Sequence, residues 1–492
     1  MSASIPALRR PFPRCLAAML LVILLVAPCP AEEALPPVTL FHTNDWHGTL
    51  QPAPALWMGV DDPPTVGGAA LLGGLLDRLR LEVLRSGGRY LVVDAGDRFQ
   101  GDPVVNLSRG RLMTDLYNQL GYTVVALGNH DFDHDLQGLV DSQETARFPL
   151  VCANLHPASG TRGVWRPSVV AQVGRVRIGI LGAMTEDLPL ITFPRNIAGT
   201  LIEPVIPALR REVARLRERG CGIIVLLSHC GHPVDLLLAV AVPGLDVIVG
   251  GHTQNHLEQP RHLNGVWIVQ TRGFGSHLGQ MTLFPGPEGK GIDKVEYRSH
   301  LLDVARVSPD PVVEALIASA SAPLRAELAR TVGTLPRPLL RSGPAEDSLP
   351  AAVARAVGRA VGVPLAVFHT GGARADLPAG PVTFGQVYNA LPFNHSVLVG
   401  ELSGRDLEAA WRRGVALNAL AWTGLKSPPG GTGLQLGDGT TVVPDGRYRV
   451  AYNNFLAQGG DGFGEFSRAA NATGTEALVR DAFLESLATN RP

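Results

Sequence analysis

The 492-residue sequence holds only five cysteines, shows no internal repeat or low-complexity tract, and has almost no net charge. Each absence narrows the field. Cys15 and Cys29 fall in the first thirty residues, which leaves Cys152, Cys221 and Cys230, too few for a disulfide framework. Cys221 and Cys230 flank one strand-like run, GIIVLLSH, and at about 3.3 Å per residue would stand roughly 25–30 Å apart, beyond bridging distance. A Cys152–Cys221 pair stays open. The formal charge of −1 gives no electrostatic reason to bind nucleic acid or an anionic membrane. Lysine is confined to Lys290, Lys294 and Lys426, a compositional bias that carries no mechanism. With 45% hydrophobic and 18% charged residues the chain is an ordinary globular one, and its length calls for two cores.

The one leader-like stretch lies at the start. Arg9, Arg10 and Arg14 precede an apolar run from Leu16 to Ala27, followed by small residues. That run is too short for a permanent membrane anchor and reads as an export signal cleaved after Ala31. Its RRPF string resembles a twin-arginine signal, whereas its apolar core suits the general secretory route. Pro28 argues against lipidation at Cys29. The expectation is a periplasmic or secreted protein with no stable membrane anchor.

Up to about residue 300, apolar runs alternate with helical stretches. The strand-like runs are VTLFHTND, YLVVDAGD, TVVALGNHD, LVCANL, VRIGILGAM, GIIVLLSHC and DVIVGGHTQ. Continuous apolar strands are covered on both faces, so an α/β architecture with flanking helices is expected. One helical stretch near 308–331 reads as a connector. A second α/β region follows, with the Pro/Gly-rich KSPPGGTGLQLGDGT as a loop. The boundaries expected are 1–31 for the signal, 36–305 for the first domain, 306–331 for the connecting helix and 332–492 for the second domain.

The strand ends carry the chemistry. HTNDWH supplies Asp45 and His47, and DAGD supplies Asp94 and Asp97. GNHDFD supplies Asn129, His130 and Asp133, SHCGH supplies His229 and His232, and GGHTQNH supplies His252, Gln254 and His256. Any one of these is ordinarily turn chemistry or a core histidine. Five of them converge if the strands are parallel, because the carboxyl ends then meet at one sheet edge. Mixed carboxylate, imidazole and amide donors suit two divalent ions of the borderline kind, Zn²⁺ or Mn²⁺, with a carboxylate bridging them about 3.5–4 Å apart.

This constellation, in this order, resembles the calcineurin-like metallophosphoesterases, and more narrowly the 5′-nucleotidase and UDP-sugar hydrolase family. GGARADLPAGPVTFGQVYNALPFNHSV and YNNFLAQGGDGF in the second region resemble that family's C-terminal signatures. The resemblance implies a four-layer metallophosphoesterase sandwich joined to a second α/β domain that sets substrate specificity. It implies that Asp45, His47 and Gln254 hold one metal, that Asn129, His229 and His252 hold the other, and that Asp97 bridges them. It makes His130 and Asp133 a catalytic dyad and places Arg374, Asn394, Phe455 and Asp461 against the substrate. The activity implied is phosphate release from 5′-nucleotides by a hydroxide held at the metals, the second domain rotating to deliver a small-molecule substrate. The rivals are a UDP-sugar or cyclic-nucleotide phosphodiesterase, a thiosulfonate hydrolase of sulfur oxidation, and a non-catalytic surface-binding protein. Two departures stand out. Ala419 occupies the place where relatives carry the first of two base-stacking Phe residues, with Trp422 nearby at the other strand parity. The segment RSGPAEDSLP is an eroded form of a family motif.

Overall fold

A computed structural model describes residues 35–156, 163–192, 194–341, 346–427 and 433–489. The leader expected at 1–31 lies outside the described residues, as does part of RSGPAEDSLP.

Two sheets form the heart of the first domain. The seven-stranded sheet runs, edge to edge, Ile292–Leu301, His277–Pro285, Val38–Thr43, Arg89–Asp94, Val124–Ala126, Leu150–Val151 and Trp165–Arg166. Its last five strands are parallel, and the other two join antiparallel. The six-stranded sheet runs Arg261–Leu263, Val266–Val269, Val247–Gly250, Ile223–His229, Val176–Met184 and Ser168–Val173, parallel through its four middle strands.

Strand alternation assigns the layers. Val38, Leu40, Leu91 and Val93 face Ile178, Ile180, Ile223 and Val225 in a core between the sheets. Phe41, Val92 and Val125 turn the other way, onto Leu72, Leu76 and Leu116 of the helices Ala69–Arg85 and Arg111–Gln119. Leu181, Ile224 and Leu226 meet Leu209, Leu216 and Leu238 of the helices Val205–Glu218 and His232–Ala241. The order is helix, sheet, sheet, helix, so each sheet has helices on one face only.

Two local expectations change, and one strand pair was not foreseen. LVCANL is not one strand but two, Leu150–Val151 and Leu155–His156, in different sheets. The long antiparallel pair 277–285 and 292–301 has no continuous apolar run to announce it; its outer strand carries Lys294, Glu296 and Arg298 along a largely exposed edge. The connector is not a single helix. Asp310 caps Pro311–Ser321 through Oδ1, which accepts from Val312 N at 2.8 Å. A tight turn over Ala322–Leu324, with Pro323 unable to donate, then leads into Arg325–Ala329. Val313 and Ile317 are buried in the first domain's outer core, which stabilises the helix there by about 1.5–3 kcal/mol per side chain. Cys152, Cys221 and Cys230 are all free and buried, so the Cys152–Cys221 pair does not form.

The second domain is a five-stranded sheet in the order Leu420–Thr423, Ala366–His369, Arg447–Asn453, Ser396–Ser403 and Ala470–Leu478. Leu349–Ala360 and Val479–Ala488 cover one face through Val353, Val357 and Phe483, which meet Phe368 and Val399. Gly404–Leu417 covers the other, where Leu407 and Ala410 meet Val367 and Val450.

Candidate active site

Because both sheets run their central strands parallel, the carboxyl ends of five strands open onto one edge. Asp45 and His47 follow the strand ending at Thr43, Asp97 follows Asp94, and Asn129 follows Ala126. His229 ends its own strand, and His252 and Gln254 follow Gly250. Five of these residues bend the chain into the left-handed region: φ is +50° at Asp45, +47° at His47, +60° at Asp97, +72° at His252 and +54° at Gln254. Each such residue costs of order 1 kcal/mol, and strain of this kind gathers where a site dictates side-chain direction. Gly128 must be glycine for a related reason, since a Cβ there would lie 2.2 Å from the Asp97 N and Oδ1.

Asp97 is the hub. Its Oδ2 lies 3.2 Å from His229 Nε2 and 3.8 Å from His47 Nε2, and its Oδ1 accepts the backbone N–H of His130 at 2.8 Å. His229 donates from Nδ1 to the Ala95 carbonyl at 2.8 Å, which leaves Nε2 turned toward Asp97 and, at 3.2 Å, toward Asn129 Oδ1. Two donor sets result, each with its ligand atoms within 4.8 Å of one another: His47, Asp97 and His130, and Asp97, His229 and His252. They share Asp97. Asp45 accepts from Asn44 Nδ2 at 2.7 Å and from the His252 N–H at 3.0 Å, and stands 3.9 Å from His47. The Gln254 amide lies 3.0 Å from His47 Nε2.

The charges gathered here are those of a place built for cations. Burial alone would raise Asp97, but His229, His130 and His47 around it hold the carboxyl far below its usual range. Burial pushes Asp45 up to about 7. Burial opposes protonation of His229, yet Asp97 above all lifts it to about 10. A buried, ionised carboxylate that draws positive charge from its neighbours is well matched to divalent ions. The donor chemistry fits two of them.

His130 and Asp133 meet, Nδ1 to Oδ2 at 2.9 Å. Burial would lower His130, but Asp133 and then Asp97 raise it to about 9. The turn that carries them is braced by a pair that sequence reasoning passed over. Arg98 Nε donates to Asp131 Oδ1 at 3.1 Å with both side chains fully buried, and Asp131 Oδ2 accepts the Gly128 N–H at 2.8 Å.

Asn129, His130, Asp133 and His252 also line a cleft of about 500 Å³ whose opposite wall belongs to the second domain. Arg374, Asn394, Phe455 and Asp461 all lie on that wall. Arg374 sits 5.9 Å over the Phe393 ring. Asn394 Oδ1 is already engaged by Arg480 at 2.7 Å. Phe455 packs on His369 with ring centroids 4.5 Å apart. Neither Ala419 nor Trp422 reaches the cleft lining; Ala419 packs into the core beside Leu420, and Trp422 stacks on Phe466 at 6.1 Å. His369 and His395 do line it, and sequence reasoning named neither. The signal was present in HTGGAR, a histidine at a strand end beside glycines.

Residues 38–256 match the model of the calcineurin-like phosphoesterases, and residues 331–468 match that of the 5′-nucleotidase C-terminal domain. The chain is 26% identical to a probable 5′-nucleotidase of Treponema pallidum, with 90% of each chain covered. It is 27% identical to the UshA protein of Yersinia enterocolitica, over 87% of this chain and 86% of that one. Among solved structures, a 5′-nucleotidase precursor from Thermus thermophilus superposes with a TM-score of 0.76 at 28% identity, over 92% of this chain and 97% of that one.

Proposed function

The chain belongs to the 5′-nucleotidase family, hydrolases of phosphate esters built from a calcineurin-like phosphoesterase domain and a 5′-nucleotidase C-terminal domain, and on that premise we propose an exported, two-metal enzyme that releases phosphate from 5′-nucleotides. The observation that carries this reading is Asp97, common to two donor sets that reach, through His130 and His252, the cleft whose far wall holds Arg374, Phe455 and Asp461.

Asp45, His47 and Gln254 would hold one ion and Asn129, His229 and His252 the other, with Asp97 between them. Zn²⁺ or Mn²⁺ at those places would supply Lewis-acid activation of water and neutralise charge on the phosphoryl oxygens. The protein's own share is positional and electrostatic. His130, cationic and held by Asp133, donates a hydrogen bond to the phosphoryl or leaving-group oxygen as negative charge builds there. Arg374 offers a planar, permanently charged donor to an anionic oxygen. Phe455 and Asp461 face the nucleoside, and Asn394 shapes that wall through its bond to Arg480. The domains fall at 36–305 and 332–492, joined through 306–331. Export rests on the leader-like first 31 residues; among the described residues no helix is long and apolar enough to cross a membrane.

A second reading, cleavage of a nucleoside diphosphate sugar, is favoured by a neighbouring groove of about 460 Å³ that shares Thr192, Asn454 and Gln458 with the cleft and leaves room for a group beyond one nucleotide. A panel of AMP, UDP-glucose, a cyclic nucleotide and p-nitrophenyl phosphate, run with several metals and read for released phosphate from the two monoesters and for the nucleoside monophosphate formed from the other two, tests both. The proposal expects AMP to be turned over most efficiently. Activity confined to the diester substrates would transfer it to the second reading, and no hydrolysis with any metal would end it.

A further inference from the structure

The wall facing the metal-type residues contains two imidazoles that the roles above leave unused. His369 and His395 stand with ring centroids 5.2 Å apart and planes at 77°, and both line the cleft beside Phe455. Each is fixed by an asparagine from the turn that carries Phe455, in opposite senses. Asn453 Oδ1 accepts the Leu456 N–H at 3.1 Å, so its amide nitrogen faces His369 and donates to Nδ1 at 3.0 Å. His369 therefore carries its proton on Nε2 and offers a donor. Asn454 presents Oδ1 to His395 Nδ1 at 3.0 Å, so His395 donates there and offers a bare Nε2 acceptor. Burial above all keeps both rings neutral: His369 is held well below the usual imidazole range, and His395 falls to about 4 although its bond to Asn454 works the other way. The two rings thus add no charge to a cleft that already has Arg374.

We propose that His369 and His395 form a fixed donor–acceptor pair that recognises the uncharged, hydrogen-bonding part of the leaving group. This rests on the nucleotide reading above and deepens it. Phe455 is already covered by His369, and Gly460 lies so close that a Cβ there would fall 2.4–2.6 Å from the ring carbons. The ring therefore has less open face for stacking than a free aromatic clamp would, and recognition moves to hydrogen bonds. The complementary ligand bears a donor and an acceptor side by side. A nucleobase edge has them, and so does the vicinal diol of a ribose.

The test compares the unsubstituted protein with His369→Leu, His395→Leu and the conservative His395→Gln, whose amide can still accept. Each is loaded with the same metal and checked for an unchanged melting profile and metal content. The readout is the ratio of kcat/KM for AMP to that for p-nitrophenyl phosphate, which lacks both features. One neutral hydrogen bond is worth about threefold to tenfold, so each Leu variant should lower the ratio by that amount through KM for AMP, and His395→Gln should restore part of it. Ribose 5-phosphate and 2′,3′-dideoxy-AMP separate the two sources. Loss carried by the first alone assigns the pair to the diol, and loss carried by the second alone assigns it to the base. An unchanged ratio in folded, metal-loaded Leu variants overturns the proposal. If the unsubstituted protein already fails to prefer AMP to p-nitrophenyl phosphate, it is the underlying nucleotidase reading that has failed.

Discussion

Replacing Asp133 by Asn keeps the size and shape of the partner of His130 but removes its charge. In the structure the pair is 2.9 Å apart and mostly buried, with His130 29% and Asp133 16% exposed, so screening is limited. His130 is lifted from 6.5 to about 9, with Asp133 the strongest of the groups that raise it and Asp97 the next. A histidine whose pKa is raised stays cationic up to that higher value, and the charge it lends the transition state is lost as pH climbs through it. Removing Asp133 gives back the larger part of the lift, so the alkaline limb of kcat should move toward lower pH by about one unit or more. Bound metals add positive charge nearby and lower the absolute position of both limbs, but the difference between the proteins survives. His130→Ala should lower kcat by about 10²–10⁴-fold over the whole range, because the donor itself is gone. The assay is kcat against pH for all three proteins, with metal content measured in parallel. A limb that stays in place for Asp133→Asn, or loss of metal in His130→Ala, would refute the reasoning. The second result would instead make His130 a ligand, a place the donor set His47, Asp97 and His130 leaves geometrically open.

Two further predictions concern the walls of the site. Phe455→Ala should lower the AMP to p-nitrophenyl phosphate ratio of kcat/KM by about threefold to fivefold, at or below the low end of the about 1–3 kcal/mol that an open aromatic contact to a base is worth, because His369 covers part of the ring; an unaltered ratio would remove Phe455 from substrate recognition. Arg98→Met strands the fully buried Asp131 carboxylate and should destabilise the first domain by about 3–5 kcal/mol, read as a lower denaturant midpoint, whereas a midpoint within error of the parent would show that the pair does not brace the turn.

Much of this site was legible in the chain because its logic is one-dimensional: an apolar strand, then a donor with a glycine within two residues, five times over. Asp97 follows a strand of one sheet and His229 and His252 follow strands of the other, and they come together because the two sheets pack with the carboxyl ends of their parallel strands at the same end; the alternation of runs showed the strand ends but not the division into two sheets. The antiparallel pair 277–285 and 292–301 was not legible, because an edge strand carrying Lys294, Glu296 and Arg298 has no apolar run to mark it. Nor was the bracing of Asn129 and His130. Arg98 and Asp131 are 33 residues apart, and only the fold makes a buried pair of them. The second wall was half legible. GGAR and FLAQGGDGF pointed to Arg374, Phe455 and Asp461, while the tautomers of His369 and His395 depend on Asn453 and Asn454, whose contacts no spacing rule reveals.

In the function proposed above Asp97 would serve two metal ions at once. Two cations about 3.5–4 Å apart would repel strongly, and a carboxylate between them would be the one ligand whose loss neither site could absorb. Metal analysis of the purified protein and of Asp97→Ala, each dialysed against the same trace of Zn²⁺ or Mn²⁺, tests this without reference to activity. Two ions per chain are expected in the parent and near none in the variant. A parent that binds a single ion, or a variant that keeps two, would contradict it.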